Sequence, residues 1–301
     1  MMNVIECRDL TKTYYRKKAL NGLSFSIEEN KIIGLIGRNG AGKTTLLKIM
    51  AGLIKETSGE IKVISEKPFN SLQVSQNSIF MDEHLAFPPA LQLQELLEEA
   101  GRFYPNWNHQ LAQRLFAYFG FDPKDYHNRL SKGKTSVFNA IIGISARCPI
   151  TIFDEPTSGM DEVARKDFYR ALLKDYITYP RTIILSSHHL DEVEDLLEEI
   201  LLLKDGRKLL HMSISKFKEW AIGFRGKKEV VKEWIGNRDL IYSQYLGIDT
   251  MYGVVKNEYS EELLEKARMS GLEVSPVRSS DLCVYLMSET KGGIDDVFND
   301  R

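Results

Sequence analysis

Apolar residues recur at alternate positions through "LSFSIEENKIIGLIG" up to a polar pair, Glu29 and Asn30, and then run almost unbroken from Lys31 to Ile36. That pattern predicts a half-buried strand, a turn and a fully buried strand. A glycine-rich loop follows, and "TTLLKIMAGLI" reads as a helix. "GEIKVI", "SIFMD", "PITIFD" and "RTIILSS" are apolar segments of strand length. Strands alternating with helical segments predict an α/β fold with a largely parallel sheet.

Between Glu83 and Leu130 the pattern becomes helical only. "LQLQELLEEAG" stops at Gly101, and "NHQLAQRLFAYFG" sets Leu111, Leu115, Tyr118 and Phe119 on one predicted face before Gly120. This predicts a helical insertion over about 84–135 within a first domain, 1–211. From Met212 the chain changes again. Lysine-rich helical segments from "SKFKEW" through "KKEVVKEW" lead to strand-like "GIDTMYGVVK", helical "SEELLEKARMSG", and strand-like "LEVSPV" and "LCVYLM". The expectation is a small accessory α+β domain over 212–301.

Composition narrows the classes. With 301 residues, 43% of them hydrophobic, the chain can bury a sizeable core. Its 40 basic and 42 acidic residues leave a net charge of −2, which argues against nucleic acid as a partner. Cys7, Cys148 and Cys283 sit in no metal-ligand spacing and predict a reducing compartment. No signal peptide or membrane span is expected from the sequence, so work at a membrane would go through another chain.

"GRNGAGKTT", Gly37 to Thr45, fits the phosphate-loop pattern G-x-x-x-x-G-K-[ST] in its required place between a strand and a helix. Backbone N–H groups of Gly37, Arg38, Asn39, Gly40, Ala41 and Gly42 and the helix start would face phosphate oxygens. Lys43 would reach the β and γ phosphates, and the Thr44 hydroxyl, beside Thr45, would hold Mg²⁺. "PITIFDEPTSGMD" ends a buried strand on Asp154, a metal carboxylate, followed by Glu155, a base for an attacking water. The alternative for the two acids is a solvated turn. "ILSSHHLDEVEDLLEEILLLKDG" places His188 and His189 between a strand and a predicted amphipathic helix with Leu190, Val193, Leu197 and Ile200 on one face.

These residues together resemble the nucleotide-binding subunit of an ATP-binding cassette (ABC) transporter, over about Val4 to Leu210. In "LTKTYYRKKALNGLSFSI" the resemblance puts Tyr14 against adenine. In "SSHHLDEVE" it makes His188 the switch histidine, and in "SGMD" it sets Asp161 at a dimer contact. The tail "GGIDDVFNDR" is similar to subunits of bacterial exporters of antibiotics and antimicrobial peptides. ATP and Mg²⁺ are the implied cofactors. The implied partners are a membrane-spanning subunit and a second cassette, in a homodimer or heterodimer at the inner face of the cell membrane. The competing readings are a weakly hydrolysing regulatory half of a heterodimer and a cassette ATPase without a transport partner.

Two departures from the family pattern stand out. The family's Mg²⁺-ligating glutamine falls on Glu83 in "FMDEHLAFPP", with Asp82 as the alternative. The signature Leu-Ser-Gly-Gly-Gln is "LSKGK", whose Leu130 lies 24 positions before Asp154. Ser131 and Gly133 keep the hydroxyl and the backbone N–H that would cap a γ phosphate on the opposite subunit, while Lys132 and Lys134 replace a glycine and the glutamine. A lysine at that glycine requires an ordinary backbone conformation.

Overall fold

The computed structural model describes residues 3–288, and the tail "GGIDDVFNDR" lies outside them. The chain divides into two compact units, Met1–His211 and Met212–Arg301. In the first, β1 (Asn3–Tyr14) and β2 (Lys17–Glu28) form an antiparallel pair, and β3 (Ile32–Ile36) follows the turn. Then come α1 (Lys43–Met50), β4 (Ser58–Val63), α2 (Leu72–Asn77), β5 (Ser78–Met81), α3 (Leu93–Phe103), α4 (His109–Tyr118), α5 (Lys132–Ser145), β6 (Ile150–Asp154), α6 (Glu162–Thr178), β7 (Thr182–Ser187), β8 (Glu199–Lys204) and β9 (Arg207–Ser213). Among the described residues β1, β2 and β4 form an antiparallel sheet in the order β2-β1-β4. The other sheet runs β5-β6-β7-β3-β8-β9 and is parallel from β5 to β8. Every residue of β3 and β6 is buried, which is why their sequences are continuous apolar runs. The core between the sheets joins Ile5, Leu23, Leu46, Ile49, Ile33 and Ile152. It fixes the ends of β3 and β6, where the chemistry-bearing loops begin.

The helical stretch is α3, α4 and the start of α5, and helix continues to Ser145, because α5 buries ten consecutive residues from Ser136. The predicted face of α4 is displaced. Ala112 and Phe116 are buried, Leu111 and Leu115 are half-buried, and Tyr118 is 66% exposed with its hydroxyl donating to Asp167. No amphipathic helix follows His189. Two short 3₁₀ turns, Leu190–Glu192 and Glu194–Leu196, bury Leu190 and Val193, and Ile200 belongs to β8. The apolar run "EILLLK" satisfies its backbone by pairing with β3, and a run this short does not distinguish strand from helix by period.

The second unit carries α7 (Ile214–Lys218), β10 (Ala221–Lys227), α8 (Lys228–Ile235), β11 (Leu240–Tyr245), β12 (Thr250–Lys256), α9 (Glu261–Met269), β13 (Glu273–Pro276) and α10 (Ser279–Met287). The sheet order β11-β12-β10-β13, antiparallel throughout, makes β10 to β13 a βαββαβ module of the split, ferredoxin-like kind. Helices α8 and α9 cover it through Val231, Ile235, Leu264 and Ala267 packed with Phe224 and Val255. Two expectations are corrected here. The lysine-rich stretch read as helix contains β10, a central strand whose Gly223 lets the Tyr252 ring lie against it. "LCVYLM" is helical, opened by Ser279 and Asp281 and closed with Tyr285 stacked on Tyr242 at 3.9 Å.

Candidate nucleotide site

Strand β3 delivers the chain to Gly37, and the loop turns back through an Ala41 N–H to Arg38 carbonyl bond of 3.0 Å. Gly42 has φ 103°, and a Cβ there would lie 2.5 Å from the Ala19 carbonyl oxygen. Only glycine fits that turn. The ammonium of Lys43, 6% exposed, donates to the Gly37 carbonyl at 2.7 Å and lies 3.1 Å from Glu155 Oε1. Gly37 and Ala41 are buried and shape the loop from below. Tyr14, Arg38, Asn39, Gly40, Gly42, Lys43, Thr44, Thr45, Asp82, Glu83, Asp154 and Glu155 line a groove of about 460 Å³. Tyr14 is 44% exposed at its mouth and presents an aromatic face for stacking.

On the opposite wall β6 ends at Asp154. The Ser186 hydroxyl, at the end of β7, donates to Asp154 Oδ1 at 2.5 Å and accepts the Glu155 backbone N–H at 2.9 Å. Glu155 then takes φ 49°, an uncommon conformation for a side-chain-bearing residue. Its Oε2 meets His188 Nδ1 at 2.9 Å. Its Oε1 is buried and accepts no aligned hydrogen bond, so the Lys43 contact is a charge pairing by proximity. Glu155 and His188 also line, with Asn39, Glu83, Ser158 and His189, a second groove of about 400 Å³. The His189 ring is tilted against His188 at 4.0 Å, and its backbone N–H is bound by Ser187.

Residues far from the loop in sequence complete the surroundings. Ser131 caps α5, its hydroxyl accepting from the Lys134 N–H at 3.4 Å, and Gly133 lies in the first turn. Neither lines the two grooves of its own chain. Lys132 is helical rather than left-handed, the ordinary backbone its side chain requires. Lys134 turns away, 3.4 Å from the Gly120 carbonyl and over the Phe121 ring. Glu83 Oε2 lies 2.7 Å from Lys132 Nζ and accepts the Ser158 hydroxyl at 3.1 Å. Lys132 therefore holds the Glu83 carboxyl below its ordinary range, against the opposing effect of partial burial. Asp82 faces Lys48 at 3.6 Å, and Asp161 caps α6 by accepting from the Ala164 N–H. Ser186 and Ser158 escaped the reading of the sequence. The one available signal was the serine pair closing "RTIILSS", a strand away from the acids.

A family described as ABC transporter matches residues 20–158. The ABC transporter ATP-binding protein YcbN of Bacillus subtilis is 30% identical over 220 residues, covering 71% of this chain and 71% of that protein. The chain belongs to the ATP-binding family of ABC transporters. The bacitracin transport ATP-binding protein BcrA of Bacillus licheniformis is 28% identical, covering 73% of this chain and 72% of that protein. A dimeric ATP-binding cassette solved in a post-hydrolysis state with ADP and Pi shares the fold, with a TM-score of 0.62 at 21% identity over 70% of this chain and 98% of that one. The cassette is of the ATPase class, and no helix among its described residues is long and apolar enough to cross a membrane.

The donors in the groove suit a hard divalent cation shared with phosphates. Thr44 and Asp154 offer oxygen along it, and no cluster of three or more His, Cys, Asp or Glu among the described residues forms a cage of its own. Glu83 reaches the same groove with its carboxylate already engaged by Lys132.

Proposed function

We propose that this cassette binds and hydrolyses ATP as one of two ATP-binding subunits that close around two Mg-ATP and drive a separate membrane-spanning subunit. The observation that carries the reading is the contact chain Lys43, Glu155, His188 between the phosphate loop and the end of β7, because it links a phosphate cation, a general base and a switch group through Glu155, which lines both grooves. Backbone N–H groups from Gly37 to Gly42 and the start of α1 receive the phosphates, with Lys43 on the terminal ones and Tyr14 against the base. Thr44 and Asp154 would hold Mg²⁺, which neutralises charge developing on the phosphates. Glu155 orients and deprotonates the attacking water, and His188 contacts the γ phosphate while steadying the Glu155 carboxylate. Ser131 and Gly133 cap the nucleotide of the second cassette, so loss of the γ phosphate opens the pair. Kinship with a bacitracin transport protein and with the SkfA peptide export protein SkfE of Bacillus subtilis supports export, at the inner face of the membrane through the partner.

The test is Glu155→Gln. It keeps nucleotide binding, lowers turnover by about 10²-fold or more, and accumulates an ATP-bound dimer in size-exclusion chromatography. Parental turnover in this variant would remove Glu155 from the mechanism.

A further inference from the structure

The two departures from the family pattern meet in space. Lys132 Nζ lies 2.7 Å from Glu83 Oε2, although 49 positions separate the residues in sequence. Its aliphatic stem passes over Gly159, where an added Cβ would come within 2.9 Å of Lys132 Cγ. A second tie comes from the same helix, since the Asn139 amide donates to the Asp82 carbonyl at 3.2 Å. Helix α5 thus grips the Asp82–Glu83 segment at its first turn and again two turns later.

Charge explains why the substitutions would travel together. A glutamine at position 83 brings a neutral amide oxygen, whereas Glu83 adds a fourth carboxylate to a groove already lined by Asp82, Asp154 and Glu155. Unneutralised, that charge repels a polyphosphate. A cation in the first turn of a helix is disfavoured by the helix dipole, and Lys132 has no acidic neighbour in that turn. Lys132 and Glu83 supply counter-charge to each other, and on the far side of the carboxylate the His84 ring stands 3.7 Å from Glu83 Oε1.

We infer that Lys132 is a positioning residue for Glu83, and that the two form a charge-compensated pair which sets the affinity of the groove for Mg-ATP. This rests on the nucleotide-site reading above. The side chains are 63% and 34% exposed, so the pair contributes little to folding. Its effect falls on nucleotide binding, and it weakens as salt screens the charges.

The experiment is equilibrium titration of the full chain with Mg-ATP, which needs no turnover, across a double-substitution cycle. Lys132→Met keeps the stem over Gly159 and removes the charge. It weakens Mg-ATP binding by about 3- to 10-fold at low salt, the scale of one uncompensated charge at a partly exposed site. Added on top of Glu83→Gln, the same exchange loses most of that effect, and Lys132→Arg restores binding toward the parent. Equal effects of Lys132→Met in both backgrounds would overturn the pairing, as would Lys132→Arg behaving like Lys132→Met. A parent that binds Mg-ATP without hydrolysing it, alone or with a partner cassette, would sink the ATPase reading and leave the pairing to stand or fall on the cycle.

Discussion

At Gly133 the backbone of α5 comes so close to the loop after Glu155 that an added Cβ would sit 2.4 Å from the Gly159 carbonyl oxygen. Gly133→Ala must push the first turn of α5 off that loop, to which Ser136 is also bonded through the Ser158 carbonyl at 2.7 Å. The expected cost is about 1–3 kcal/mol, as for other small-to-large changes in packed sites, read as a lowered urea midpoint. Turnover should fall with it while Mg-ATP binding by the single chain persists, because Gly133 does not line that groove. A variant with parental stability would show that the contact relaxes freely. Residues of this sort differ in how far the sequence exposes them. Gly42 and Lys43 are legible because the loop, the strand before it and the helix after it are contiguous. Ser186 is not, since its bonds to Asp154 and Glu155 exist only once β7 lies beside β6. The Lys132 contact with Glu83 is hidden for the same reason.

Elements buried on both faces announced themselves, as β3 and β6 did through unbroken apolar runs. The short apolar segments of β4, β5 and β7 were legible too, whereas β8, β10 and α10 were each settled by pairing or packing partners elsewhere in the chain. Strand β8 also carries a titrating cluster. Glu199 Oε1 lies 2.5 Å from Lys31 Nζ, beside β3, and Glu199 Oε2 lies 3.0 Å from His211 on β9. The His211 hydrogen bond first, and Lys31 with it, hold the Glu199 carboxyl down at about 2 against partial burial. A carboxyl depressed in the folded state contributes stability that is present above its unfolded value, near 4.3 for a glutamate. That contribution is lost as pH falls through the window toward about 2. The full effect is on the order of 2–3 kcal/mol. Glu199→Gln should therefore be less stable than the parent at neutral pH, with the gap closing between about pH 4.5 and 2. Denaturation midpoints measured against pH check this, and a gap independent of pH would refute it.

For the whole molecule, the proposed nucleotide contacts from Tyr14 to His188 all fall within the first unit, whose core of Ile, Leu and Val residues is its own. The βαββαβ module likewise has its own core, around Phe224, Val231 and Leu264. The sequence foretold a change of character near Met212 but not the module's topology, because the central strand β10 lay inside a stretch whose lysines and glutamates read as helix. A chain ending at Ser213, which keeps β9 complete, should fold and bind Mg-ATP with parental affinity in a fluorescence titration. Loss of binding by such a soluble, folded chain would mean that the accessory module shapes the site. The same shortened chain gives the sharpest view of the sandwich. Ser131 sits exposed at the start of α5 and outside the grooves of its own chain, so its hydroxyl, while accepting the Lys134 N–H, keeps a proton to donate to a neighbour. Ser131→Arg places a long cationic side chain where the partner's γ phosphate and phosphate loop would approach. Removing the cap itself costs only about 1 kcal/mol, so the variant should remain folded. Combined with Glu155→Gln, which arrests the ATP-bound pair, it should abolish ATP-driven dimerisation in analytical ultracentrifugation while each chain still binds nucleotide. If the doubly substituted chain dimerises with ATP as readily as Glu155→Gln alone, Ser131 does not face a partner's nucleotide and the paired-cassette mechanism fails for this protein.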